Sequence, residues 1–253
     1  MTEMTSRTPA IAEAIPRRSW RFLLLLVGIG AVGIASMLFV PLEQLLPSGL
    51  EVPRALLMLQ PAILVVGLSA AGWWAAPKLG LDAPALGALA DGGDWIGALR
   101  PMLLPAIAGG LLCAFCIALF GFATADLLAG RAQAIELPLA TRMLYGGTVE
   151  EIIFRWALMP LVALGLCRLS AGRGTALAVA NLVAALLFAA GHLPAILMAV
   201  PMAPAWLVPA VMAANTAIGL ICGWLFVRRG FEAAMIAHAL AHLFSVPLMV
   251  LWA

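Results

Sequence analysis

The stretch Gly147-Thr148-Val149-Glu150-Glu151-Ile152-Ile153-Phe154-Arg155-Trp156 sets two adjacent carboxylates and an arginine in the middle of a long apolar run. Ionisable groups at membrane depth cost several kcal/mol each by most estimates, so they are rare there and mark functional sites or buried pairs. The surroundings fix the solvent: 64% of the residues are hydrophobic and 10% charged, against about 25% charged in ordinary soluble domains. Mean hydropathy is +1.09. The fold class is therefore all-α, a polytopic transmembrane helical bundle, because a chain in lipid must satisfy its backbone internally.

Apolar runs of spanning length lie at about 17–40, 55–76, 101–124, 138–165, 175–192, 205–227 and 231–252, with Pro and Gly at their borders. The apolar, proline-rich piece 193–204 is too short to cross and reads as re-entrant or interfacial, giving seven to eight spans. Residues 82–100 read as an interfacial loop or short helix. The chain divides into a polar tail (1–18), an N-terminal transmembrane region (19–135) and a catalytic helical core (136–253). With the N-terminus in the cytoplasm, only Arg54, Arg131 and Arg142 of the residues flanking the spans fall outside, as the positive-inside rule requires. A formal charge of +2 and no basic run beyond the N-terminus exclude a nucleic-acid partner. Lys78 is the single lysine among 14 basic residues, an arginine bias typical of GC-rich bacteria, so the expected location is a bacterial inner membrane.

Helix geometry separates the two carboxylates. Glu151 and Arg155 are four apart with the acid N-terminal, the favourable order for an intrahelical pair, while Glu150 is rotated about 100° away. A free glutamate in a partly dry cavity suits a general base working near neutrality; a structural ion-pair knot is the competing reading. All three histidines also fall in spans: His192 follows Phe188 by four residues, and His238 and His242, four apart, share one face of the last helix. Convergence of Glu150 and the three histidines on one polar pocket accounts for all of them at once. Straight, flush helices would still leave His192 and His238 about 15 Å apart in depth.

Three ordered motifs carry a family resemblance: Glu150-Glu151-Ile-Ile-Phe-Arg155, Phe188-Ala-Ala-Gly-His192 and His238-Ala-Leu-Ala-His242. Over residues 140–245 the chain resembles the CAAX protease and bacteriocin-processing (CPBP, or Abi) family of intramembrane endopeptidases, which includes the Ras-converting CAAX endopeptidase. The resemblance implies that Glu150 and His192 activate water, that His238 and His242 stabilise the oxyanion, and that Glu151 and Arg155, beside Phe188, hold the site's shape. It implies a membrane-associated protein or peptide as substrate and no cofactor. His242 departs from the family, which more often has Asn there, and opens a zinc reading on Glu150, His192, His238 and His242. A proton-coupled transporter and a non-catalytic scaffold or immunity protein are the alternatives from other classes.

Two further groups read as structural. Gly219 and Gly223, four apart, suit close helix packing, and Asn181 and Asn215 suit hydrogen bonds between helices. Cys113-Ala-Phe-Cys116 has metal-site spacing, but packing is the better reading because no second Cys or His pair accompanies it.

Overall fold

The computed structural model describes residues 18–41, 52–128 and 137–252, so the polar tail expected at 1–18 lies almost wholly outside the described residues. The described chain is helical, in the order α1 (Trp20–Ser36), α2 (Arg54–Ala75), α3 (Pro84–Ala90), α4 (Trp95–Leu128), α5 (Leu139–Leu144), α6 (Met159–Arg168), α7 (Arg173–Gly191), α8 (Leu193–Ala199), α9 (Leu207–Arg229) and α10 (Phe231–Trp252). Between α5 and α6 the backbone stays helical but widens into two π-helical stretches, Tyr145–Glu150 and Ile152–Leu158, on either side of Glu151.

Among the described residues, six helices are long and apolar enough to cross a bilayer. The composite helix from Leu139 to Arg168, about 45 Å at ~1.5 Å per residue, is also long enough to cross. Lipid is the solvent these helices are built for: Leu104, Leu112, Phe115, Leu119 and Phe122 on α4 and Leu59, Ile63 and Val66 on α2 are exposed, an apolar face that would aggregate in water. The stretch 82–100, read as one loop or short helix, is divided, because Trp95–Arg100 already belong to α4. Residues 84–90 form α3, and the proline-rich piece opens as α8, which continues the apolar path of α7 from Arg173 to Ala199.

Helices on both sides of residue 135 pack as one bundle. α4 lies along α10, α7 pairs with α9, and α2 packs on the second π-helical stretch. Small residues set the closest approaches. A Cβ on Gly219 would stand 2.7 Å from Ala185 Cβ, and one on Gly223 would collide with the Asn181 amide. Asn181 Nδ2 donates across this α7–α9 seam to Leu220 O at 3.1 Å. Asn215 does not bridge helices. Its amide donates to Val211 O, one turn back on α9 (3.0 Å), so this donor is satisfied within its own helix.

The apolar core is centred on Trp156, fully buried against Phe22, Phe226 and Phe231 at ring separations of 5.4, 6.2 and 5.2 Å, with its indole N–H donating to Ser69 O (3.2 Å). At one end of the bundle a polar knot closes the fold. Arg18 pairs with Asp82 and donates to Ala83 O, Glu232 Oε1 accepts the Leu86 N–H at 2.7 Å, and Phe231 N donates to Asp82 O at 2.9 Å. Gly230, at φ 103°, makes the tight α9–α10 turn that a side chain would strain.

Candidate active site

The widened helix shapes the site. Thr148 Oγ1 donates to Leu144 O (2.6 Å), competing with the backbone ladder, and Pro160 has no N–H to return to Trp156. Together they favour the wider π spacing, a departure from α-helix that often accompanies function. It presents Glu150 and Glu151 to α10.

Glu151 is fully buried. Its Oε1 accepts from His238 Nδ1 at 2.7 Å and lies 3.1 Å from Arg155 Nη1, which bears out the expected Glu151–Arg155 pair. Arg155 is also fully buried and lies over the Phe188 ring, its guanidinium carbon 4.6 Å from the centroid. Neither of its terminal nitrogens makes an aligned hydrogen bond, and Glu151 Oε2 has no partner among the described residues. Glu150 is half-buried, and its Oε2 lies 3.6 Å from His238 Nε2. The two ring nitrogens of His238 thus face the two glutamates. At 3.6 Å the outer contact is longer than a hydrogen bond and leaves room for it to tighten or for a bridging group.

The expected cluster assembles in part. His242 stacks on His238 with ring centroids 5.4 Å apart. The two Nε2 atoms converge on Gly146, where a Cβ would stand 3.0 Å from that of His238 and 3.3 Å from that of His242. Glycine is what leaves this space open. Its only trace in the sequence was its place one helical turn before Glu150. His192 sits farther out. It is not within ion-pair distance of Glu150, and it joins the cluster through Phe188, whose ring meets both His192 (4.7 Å) and His238 (5.6 Å). Phe188 thus spans the depth offset that straight helices imply. His192 Nδ1 faces Phe188 O at 2.9 Å; a carbonyl only accepts, so this bond puts the proton on Nδ1 and the lone pair on Nε2.

Among the described residues, the donor set compact enough for a metal ion is Glu151, Cys222 and His238, with ligand atoms within 4.8 Å of one another. It differs from the zinc set expected from the sequence. From the sequence Cys222, like the other cysteines, reads as a packing residue in an apolar run.

A family model described as type II CAAX prenyl endopeptidase Rce1-like matches residues 133–244. Over this stretch, a little under half of its length, the chain is similar to the CAAX protease family. The Rce1-like stretch begins just before α5 and runs into α10, so it encloses both glutamates, Arg155 and all three histidines. No curated protein and no solved structure matches the chain. That match, with the long apolar helices, supports an integral membrane protein of the protease type.

Proposed function

We propose that this protein is an intramembrane endopeptidase of glutamate type, hydrolysing a peptide bond near the membrane-associated end of a protein or peptide substrate. The observation that carries the reading is the half-buried Glu150 carboxylate facing His238 Nε2 at 3.6 Å, beside a buried Glu151 that holds the other face of the same ring.

In this mechanism Glu150, helped by His192 through its free Nε2, takes a proton from water as the oxygen attacks the scissile carbonyl. Glu151 fixes the His238 ring through Nδ1, so Nε2 points to the reacting centre. With a second proton, taken up from solvent before the attack, on that nitrogen, the imidazolium donates to the developing oxyanion and keeps the proton when the carbonyl re-forms, with His242 beside it as second donor; preorganised donors of this kind are worth about 3–4 kcal/mol each in other proteases. The proton held by Glu150 then passes to the leaving amine. Protein groups perform every step, and no cofactor is required. Arginine-biased composition supports a bacterial inner membrane with the N-terminus cytoplasmic, where the substrate is a peptide precursor, a C-terminal sorting tail or a membrane-bound regulatory protein.

The test is cleavage of a fluorogenic membrane-peptide library by purified protein in detergent, with wild type, Glu150→Gln and His192→Ala, each with and without a chelator. Loss in both variants with chelator-resistant wild-type turnover supports the mechanism. Unchanged turnover in both variants rejects the assigned residues, and absence of cleavage by wild type returns the protein to the scaffold and transporter alternatives.

A further inference from the structure

Three donors of different hardness meet in the dry centre of the bundle. Glu151 comes from the π-widened helix, Cys222 from α9 and His238 from α10, each less than a tenth exposed, with ligand atoms within 4.8 Å of one another. A second thiol, Cys113 of α4, is fully buried and interacts with Cys222. All four cysteines are free. An independent feature marks the spot: Glu151 Oε2 is buried without a hydrogen-bond partner among the described residues, although a buried carboxylate oxygen left unpaired is destabilising. Arg155 does not answer for it, because its guanidinium approaches Oε1 and lies on Phe188.

The geometry points to a binding site for a thiophilic divalent cation such as Zn²⁺, held by Glu151, Cys222 and His238. Carboxylate, imidazole and thiolate together make a donor set that suits zinc better than Mg²⁺ or Ca²⁺, which prefer oxygen alone. Binding displaces the Cys222 thiol proton to the buffer and gives Glu151 Oε2 a partner. It also takes up Glu151 and His238, the pair that holds the proposed catalytic ring in place. The occupied site is therefore an inhibited one. The binding stands on the donor set alone; its inhibitory consequence rests on the peptidase reading.

Co²⁺ titration of the purified full-length protein in detergent separates the two. Wild type is expected to bind one equivalent with a thiolate-to-cobalt charge-transfer absorption that Zn²⁺ competes away. Cys222→Ser and Cys222→Ala, each checked for wild-type helix content and elution, are expected to lose that absorption, whereas Cys167→Ser keeps it. In the peptidase assay, the Zn²⁺ concentration that halves turnover, read against each variant's own metal-free rate, is expected to rise at least about tenfold in the Cys222 variants, the scale seen when supporting groups at metal sites are lost. No charge-transfer absorption in wild type, or its survival in both Cys222 variants, overturns the site. If the absorption depends on Cys222 and no variant cleaves peptide, the metal site stands and the peptidase reading falls. If Zn²⁺ inhibits all variants equally, the inhibitory role is overturned.

Discussion

Two arginine–carboxylate knots lie in this bundle, and they are satisfied in different ways. At the end of the molecule Arg18, Asp82 and Glu232 bond largely to backbone: Arg18 to Ala83 O, Asp82 Oδ1 to the Ala83 N–H, Glu232 Oε1 to the Leu86 N–H. Burial pulls the Arg18 guanidinium below its ordinary range, and the carboxylates of Glu232 and Asp91 push back. In the middle, Glu151, Arg155 and His238 bond to one another through side chains alone. That knot leaves three buried polar atoms unbonded (Glu151 Oε2, Arg155 Nη1 and Nη2), against Glu232 Oε2 in the outer one. A knot whose work is to hold loops to helix ends is best tied to backbone, which cannot move without unfolding. One that positions a reacting group keeps its bonds among side chains and tolerates open valences.

The comparison breaks first at Glu151. Replacing it with Ala leaves Arg155 charged and buried without its partner, so stability should fall by about 3–5 kcal/mol, read from thermal unfolding in detergent. The double variant Glu151→Gln, Arg155→Met should recover most of that stability without recovering peptidase activity. Full recovery of both would make the inner knot structural, like the outer one. Next in size, Glu150→Gln should cut kcat/KM by about 100-fold or more, the general-base contribution, while unfolding stays within about 0.5 kcal/mol of wild type because the side chain is only half-buried. A stability loss that matches the activity loss would merge Glu150 into the knot.

Gly146→Ala sharpens the contrast from the backbone side. The added methyl meets both Nε2 atoms, so turnover should drop about tenfold or more, with an overpacking cost of about 1–3 kcal/mol. Near-normal turnover would mean that the two histidines do not act from where they stand. Smallest of all, Asp82→Asn should cost no more than about 1 kcal/mol, since the Asp82 side chain is 53% exposed, and should leave kcat/KM unchanged. A large activity loss there would show that the outer knot reports to the site.

Much of this was legible in the chain. Spans follow from apolar length, and a Glu and an Arg four apart on a helix meet whatever the tertiary fold. The motif order put Glu150, His238 and His242 in one neighbourhood. What the chain did not disclose depends on which helices touch. The Glu151–His238 bond joins residues 87 positions apart and is set by how α10 lies on the widened helix. Asn215 reads as a bridge and is not one, because only packing decides whether an amide meets a neighbour before its own carbonyl. The fifth span reads as ending at His192, whereas the apolar path continues through α8 to Ala199. The π-widening had local causes in Thr148 and Pro160, but neither announces itself in a hydropathy pattern.

Those wider turns carry a consequence of their own. A π-turn takes up one residue more than the α-helical ladder around it, and what lies beyond keeps its facing. Removing a single residue between Tyr145 and Glu150 lets the ladder close as an ordinary helix with Glu151 and Trp156 still turned as they are, and takes away only the widened turn that carries Gly146 and Glu150. The same deletion within α6 would instead turn everything after it by about 100°. The widened turn is thus the place where this helix can lose a residue and keep its phase.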